Sequence, residues 1–168
     1  MFVPFCAMAQ GVRATGIVRK YPAIVNPVFE LLMRFNVNIV QMPCPELFFD
    51  SWCRRPCQKK KYDTVKNRSV CRQVGTGVVG MVEMCQKNGA QVCGILGIER
   101  SPSCAVSLLT APPPNRIISG KGIFIEELQR LLRERKLEDR VPFVGIDAIS
   151  VGKTLPAIRD LIGPPGRS

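Results

Sequence analysis

Cys6, Cys44 and Cys104 each follow a short apolar run that reads as a β-strand. Met1–Phe5 precedes Cys6, Val37–Met42 precedes Cys44, and Val92–Ile98 leads into the loop Glu99-Arg100-Ser101-Pro102-Ser103-Cys104. If these strands are parallel neighbours, the three thiols meet at the carboxyl edge of one sheet, where open α/β sheets hold their ligands. Three convergent thiolates with no evident fourth ligand suit an iron–sulfur cluster that keeps one iron open for substrate. The alternative is that these are small buried side chains filling gaps in a core. Spacing alone leaves both open.

Cys44-Pro45-Glu46 sets a carboxylate beside a thiol, offering a metal ligand and a possible general base within one turn of chain. The chain has no histidine. That removes a Ser-His-Asp triad, a Cys-His pair and any His-ligated zinc or haem site. A general base must then be Asp, Glu, Lys, Tyr or a metal-bound species. None of the eight cysteines carries a sign of secretion, because no charged segment followed by a long apolar stretch opens the chain. The apolar region from Val78 to Ile98 is broken by Glu83, Gln86 and Lys87. The expectation is a reducing cytoplasm, where cysteines more often bind metals or react than pair.

The elements that must position these residues alternate. Tyr21–Phe35 has apolar residues at helical spacing, and a second helix is expected from about Thr64 to Lys87, which Asn88-Gly89 ends as a C-cap signal. Ala90–Ile98 is nearly all apolar, as a strand buried on both faces should be. Ile123–Lys136 is amphipathic, with Glu early and Arg and Lys late, as the helix dipole favours. Val141–Ile146 reads as a fourth strand and Lys153–Ile162 as a closing helix, while Ala111-Pro112-Pro113-Pro114 marks a loop. With 46% hydrophobic residues over 168 positions, the chain can bury a sizeable core. The expected fold is α/β, a Rossmann-like three-layer sandwich with a mostly parallel sheet of about four strands. It forms a single domain over residues 1–162, and residues 163–168 are a tail.

Several short motifs gain meaning together. They are Phe5-Cys6 with Gln10, Ile39-Val40-Gln41-Met42-Pro43-Cys44-Pro45-Glu46, Tyr62-Asp63-Thr64 and Gly94-Ile95-Leu96-Gly97. Ser101-Pro102-Ser103-Cys104, Gly122-Ile123-Phe124 and Gly145-Ile146-Asp147 complete the set. In these the chain resembles the thiouracil desulfurase family, and within it a small stand-alone branch of desulfidases. The resemblance implies a cytoplasmic enzyme carrying a 4Fe–4S cluster on Cys6, Cys44 and Cys104. The fourth iron would bind the sulfur of a thiolated pyrimidine or related thioamide and extract it without net redox chemistry. The resemblance also implies that Glu46 handles water or protons and that Ser101 lies near the substrate.

Other signals compete. Gly75-Thr76-Gly77-Val78-Val79-Gly80 matches the G-x-G-x-x-G fingerprint, and a strand ending in Glu99 follows at about dinucleotide-binding spacing. Upstream, however, Arg68, Arg72 and Gln73 fit a helix better than a buried strand. Cys53 and Cys57 could form a second metal site or cover a pocket, whereas Cys71, Cys85 and Cys93 read as core. The net charge is +11, and the basic run Arg54 to Lys61, interleaved with Trp52 and Tyr62, could track a phosphate backbone with stacking nearby. That would point to thiolated tRNA rather than a small thiolated base; a solvated charged face explains the run equally well. A non-catalytic or redox iron–sulfur protein and a dinucleotide-binding protein are the alternatives to a desulfidase.

Overall fold

Four short strands form one parallel sheet in the computed structural model, which describes residues 1–18, 20–112 and 116–163. They are β1 (Phe2–Pro4), β2 (Val40–Met42), β3 (Ile95–Ile98) and β6 (Phe143–Ile146), in the order β2-β1-β3-β6. Their carboxyl ends are level: Pro4 pairs with Met42, and Ile98 with Ile146. The chain runs outward from β1 to β2, then crosses back to lay β3 on the other side of β1. This reversal is a switch point, and it opens a crevice above the carboxyl ends of β1 and β3.

The helices follow from the handedness of parallel crossovers. Right-handed connections put α2 (Asn26–Arg34) on one face, and α5 (Val65–Lys87) and α6 (Ile123–Glu134) on the other. In agreement, α5 packs along α6, while α2 meets α7 (Leu155–Ile162). The three-layer α/β sandwich expected from the sequence is therefore the fold observed. Its core joins Phe2, Val3, Ile95, Leu96 and Ile98 of the sheet to Phe124, Leu128 and Leu132 of α6. Thr64 caps α5, its Oγ accepting from the Asn67 N–H at 3.2 Å. Among the described residues, no helix is long and apolar enough to cross a membrane.

Some boundaries differ from the sequence expectation. The first strand stops at Pro4, and Phe5–Met8 turns into a short helix, α1. Tyr21–Val25 is not helical, because the Val25 N–H donates to Ala7 O and Ala23 O accepts from Gln10. Helix α2 begins only at Asn26, with Pro27 in its first turn, where a missing N–H costs nothing. The second strand starts at Val40 and the third at Ile95, both later than expected. The stretch from Glu46 to Tyr62 holds two single-turn helices, α3 (Glu46–Phe49) and α4 (Lys59–Tyr62). An antiparallel hairpin of β4 (Leu108–Ala111) and β5 (Arg116–Ser119) was not expected at all. The expected tail lies outside the described residues from Pro164 onward, as do Pro113 and Pro114 of the proline loop.

The dinucleotide fingerprint is overturned. Gly75 to Gly80 lies inside α5, so it forms no strand-to-helix phosphate loop. Gly75 instead faces Phe124, Leu128 and Leu131 of α6, where a Cβ would sit 2.9 Å from Leu131 Cδ1.

Two other glycines set the position of the loop that carries Cys104. A Cβ on Gly97 of β3 would collide with Cys104 O, and one on Gly122 would collide with the Ser103 carbonyl. The loop is thus clasped between the third strand and the start of α6. It also caps that helix, since Pro102 O accepts from Ile123 N at 3.1 Å and Ser103 O from Phe124 N at 2.9 Å. Gly122→Ala must push backbone against backbone and should destabilise by about 1–3 kcal/mol. Gly77→Ala, on an open helix face with nothing within 4 Å, should instead stabilise by about 0.5–1 kcal/mol. Urea unfolding of the two variants checks both signs, and equal effects would refute the close approach.

Candidate functional site

Each of the three cysteines leaves the carboxyl end of a different parallel strand. Cys6 sits on α1 directly after β1, Cys44 follows β2 just before α3, and Cys104 ends the loop after β3. Cys44 and Cys104 are 7% and 5% exposed, and Cys6 is half-buried. All three remain free thiols.

Burial and neighbouring charges both act on their acidities. Burial pushes Cys6 up to about 12, the neighbouring Cys44 adds to the effect, and Arg13 opposes it. Burial followed by the charges of Cys6 and Cys44 drives Cys104 well above the ordinary thiol value. Cys44 is also raised, by burial and by Glu46, although Arg54 and the N–H groups of Glu46 and Leu47 pull the other way. Free thiolates here are therefore costly, since each would be desolvated beside the others. A cationic centre removes that cost by taking the place of the protons, as metal binding to thiols generally does.

Among the described residues, no group of three or more His, Cys, Asp or Glu side chains could hold a single metal ion. An iron–sulfur cubane asks for something different, because each thiolate binds its own iron and the ligands stand farther apart than around one ion. A soft, sulfur-only donor set of three thiols at neighbouring strand ends fits such a cluster on chemical grounds.

Beside the thiols lies a buried polar network centred on Glu46, which is 7% exposed. Arg54 Nε donates to Glu46 Oε2 at 2.6 Å, and Ser103 Oγ to Glu46 Oε1 at 2.5 Å. Ser101 Oγ stands farther off, 3.4 Å from Oε1. Ser101 serves the loop more directly, its Oγ accepting from the N–H of Cys104 at 3.0 Å and of Ser103 at 3.3 Å. Ser103 Oγ also lies 3.4 Å from Cys104 Sγ and so touches both the carboxylate and the thiol. Gln10 closes the first loop by donating from Nε2 to Cys6 O at 2.5 Å.

Sequence reasoning missed Ser103 and Arg54. Ser103 stood in view as the neighbour of Cys104. Arg54 carried the wrong meaning, as part of an exposed basic run, yet it is only 5% exposed. Burial works against its charge, but Glu46 outweighs this and raises its pKa. The rest of that run is partly neutralised too: Lys59 Nζ meets Glu126 Oε1 at 2.5 Å, and Lys61 lies 3.7 Å from Asp50. Arg55, Lys60 and Trp52 remain exposed.

The other cysteines lie away from the three strand ends in the chain's topology. Cys71 is core, and Cys85 and Cys93 line a cavity of ≈ 250 Å³ beside Met1 at the amino edge of the sheet. Cys53 is exposed and Cys57 packs against the core, within reach of the Tyr62 hydroxyl. At the carboxyl end of β6, Asp147 takes a two-pronged bond from Arg100, at 2.7 and 2.8 Å. Burial alone would raise the Asp147 carboxyl, but Arg100 and two backbone N–H groups hold it below its ordinary value.

No family model matches the chain. An uncharacterized protein of Methanocaldococcus jannaschii is 29% identical over 102 residues. That alignment covers 61% of this chain but only 58% of the relative, so the chain spans little more than half of that protein's length. Among solved structures, the 4Fe–4S-dependent thiouracil desulfidase TudS matches over 94% of this chain and 96% of its own, with a TM-score of 0.51 and 17% identity. The chain has the fold of that desulfidase. The resemblance drawn from the motifs is thus matched at the level of fold.

Proposed function

We propose that this protein is an iron–sulfur-dependent desulfidase that removes sulfur from a thiolated pyrimidine or related thioamide. One observation carries the reading: three buried or half-buried thiols leave the carboxyl ends of adjacent parallel strands at a switch point, beside a buried carboxylate held by an arginine and a serine. Likeness of fold to a thiouracil desulfidase supports it. Cys6, Cys44 and Cys104 would hold the cluster, which when bound supplies a Lewis-acidic iron with affinity for soft sulfur.

The protein's own part is acid–base chemistry. The thiocarbonyl carbon takes up water and loses sulfur, so a thiocarbonyl and water become a carbonyl and hydrogen sulfide with no net oxidation. Glu46 accepts a proton from the water, and Ser103 relays it toward the departing sulfur. Ser101 acts through the loop, fixing Ser103 and Cys104 by its backbone bonds. With no histidine in the chain, a carboxylate is the natural group for this step.

A small thiolated base is favoured over thiolated tRNA, because Arg54 faces Glu46 and Lys59 faces Glu126 instead of solvent. The second reading, an iron–sulfur protein without turnover, uses the same thiols and leaves Glu46 idle. Chain reconstituted with iron and sulfide under anaerobic conditions should release sulfide and uracil in equal amounts from thiouracil. A full complement of iron without sulfide release would favour the second reading.

A further inference from the structure

Arg54 joins three pieces of backbone that no secondary-structure element connects. Its Nε donates to Glu46 Oε2 at 2.6 Å, just beyond β2. One terminal nitrogen donates to Val12 O at 2.7 Å, in the loop that follows Cys6. Its own carbonyl accepts from Thr15 N at 2.9 Å in that same loop. A guanidinium can serve Glu46 and Val12 at once because its donors are fixed in a planar fork, which an ammonium lacks. Val12 and Arg54 are both buried, so these bonds form away from water.

We propose that Arg54 is the positioning residue of this site, a latch that sets the Glu46 carboxylate and fastens the loop after Cys6 to it. The inference rests on the desulfidase reading for the role of Glu46, but the latch on the loop is independent of it. Arg54 fixes Oε2, which leaves Oε1 turned toward Ser103 and Ser101. Without it the carboxylate would keep its serine partners and lose its orientation. The loop over residues 12–15 would also lose its side-chain tie at Val12 O, while Thr15 N–H keeps its bond to the backbone carbonyl of residue 54.

The test compares Arg54→Ala and Arg54→Lys, each alone and combined with Glu46→Gln, with thiouracil as substrate. Arg54→Ala should keep its iron and lower kcat by about 10- to 100-fold with little change in KM, the scale of one lost charge-assisted bond. Added guanidinium ion should restore part of the rate, and Arg54→Lys should fall between. In the Glu46→Gln background the same replacement should cost less than about threefold, because the two residues act as a unit. Losses that multiply in the double variant, or iron lost with Arg54, would overturn the proposal.

A second readout needs no turnover. Tryptic cleavage after Arg13, followed by mass spectrometry, should be faster in Arg54→Ala and Arg54→Lys than in the parent chain. Unchanged cleavage would refute the latch even if the parent protein releases no sulfide, an outcome that would sink the desulfidase reading instead. Should Arg54→Ala fail to fold, Arg54→Lys carries both measurements.

Discussion

Replacing any one of Cys6, Cys44 or Cys104 with Ala is expected to lower bound iron sharply from the about four per chain of a reconstituted cubane. The three replacements should act alike, although the residues lie far apart in sequence, because each removes the thiol supplied by one strand end. Loss of fold would not explain the result. A Cys→Ala change deletes a single sulfur and leaves a small void, which costs about 1–2 kcal/mol. Cys71→Ala is the matching control: it is a fully buried thiol of α5 within the core, so it should destabilise to a similar degree and keep its iron. Iron and acid-labile sulfide measured with urea unfolding on the same samples separate the two effects. Variants that bind iron as well as the parent chain would end the three-cysteine reading.

The three thiols were legible because the rules that place them are short-ranged and strong. Apolar runs followed by Pro-rich breaks give strand ends, and helices between them give parallel strands, so a Cys at each break reaches one edge. Glu46 was legible for the same reason, two residues beyond Cys44. Its partners were not. Arg54 sits in a stretch of Arg and Lys whose composition signals solvent, yet Glu46 and the loop after Cys6, distant in sequence from it, take up the guanidinium. The β4–β5 hairpin escaped notice because β5 is exposed along its whole length and has no buried face to show a period of two. Gly75 to Gly80 misled in the opposite direction. The spacing of a phosphate loop arose there because α5 needs a small residue at Gly75 to approach α6, while Gly77 and Gly80 meet nothing.

Glu46→Gln should keep the iron and lower sulfide release from thiouracil by about 100-fold or more, the usual contribution of a positioned general base. The amide preserves the shape of the side chain and cannot accept the proton of a water molecule. Asp147, at the carboxyl end of β6, is engaged by Arg100, and the chain has no histidine to take over the step. The same substitution leaves the Arg54 charge buried without its counter-ion, so stability should fall by about 3 kcal/mol, the scale seen when one partner of a buried pair is removed. Activity must therefore be compared at a temperature where the variant is folded, as its circular dichroism will show. Ser103→Ala should follow Glu46→Gln in kind, with a smaller loss of rate, because its hydroxyl lies 2.5 Å from the carboxylate and also touches Cys104 Sγ. Ser101→Ala should act mainly on stability, because its Oγ accepts from two backbone N–H groups of the Cys104 loop. A Glu46→Gln variant that turns over at the parent rate would show that water is activated elsewhere. One that loses its iron would show that the carboxylate belongs to the thiol site itself.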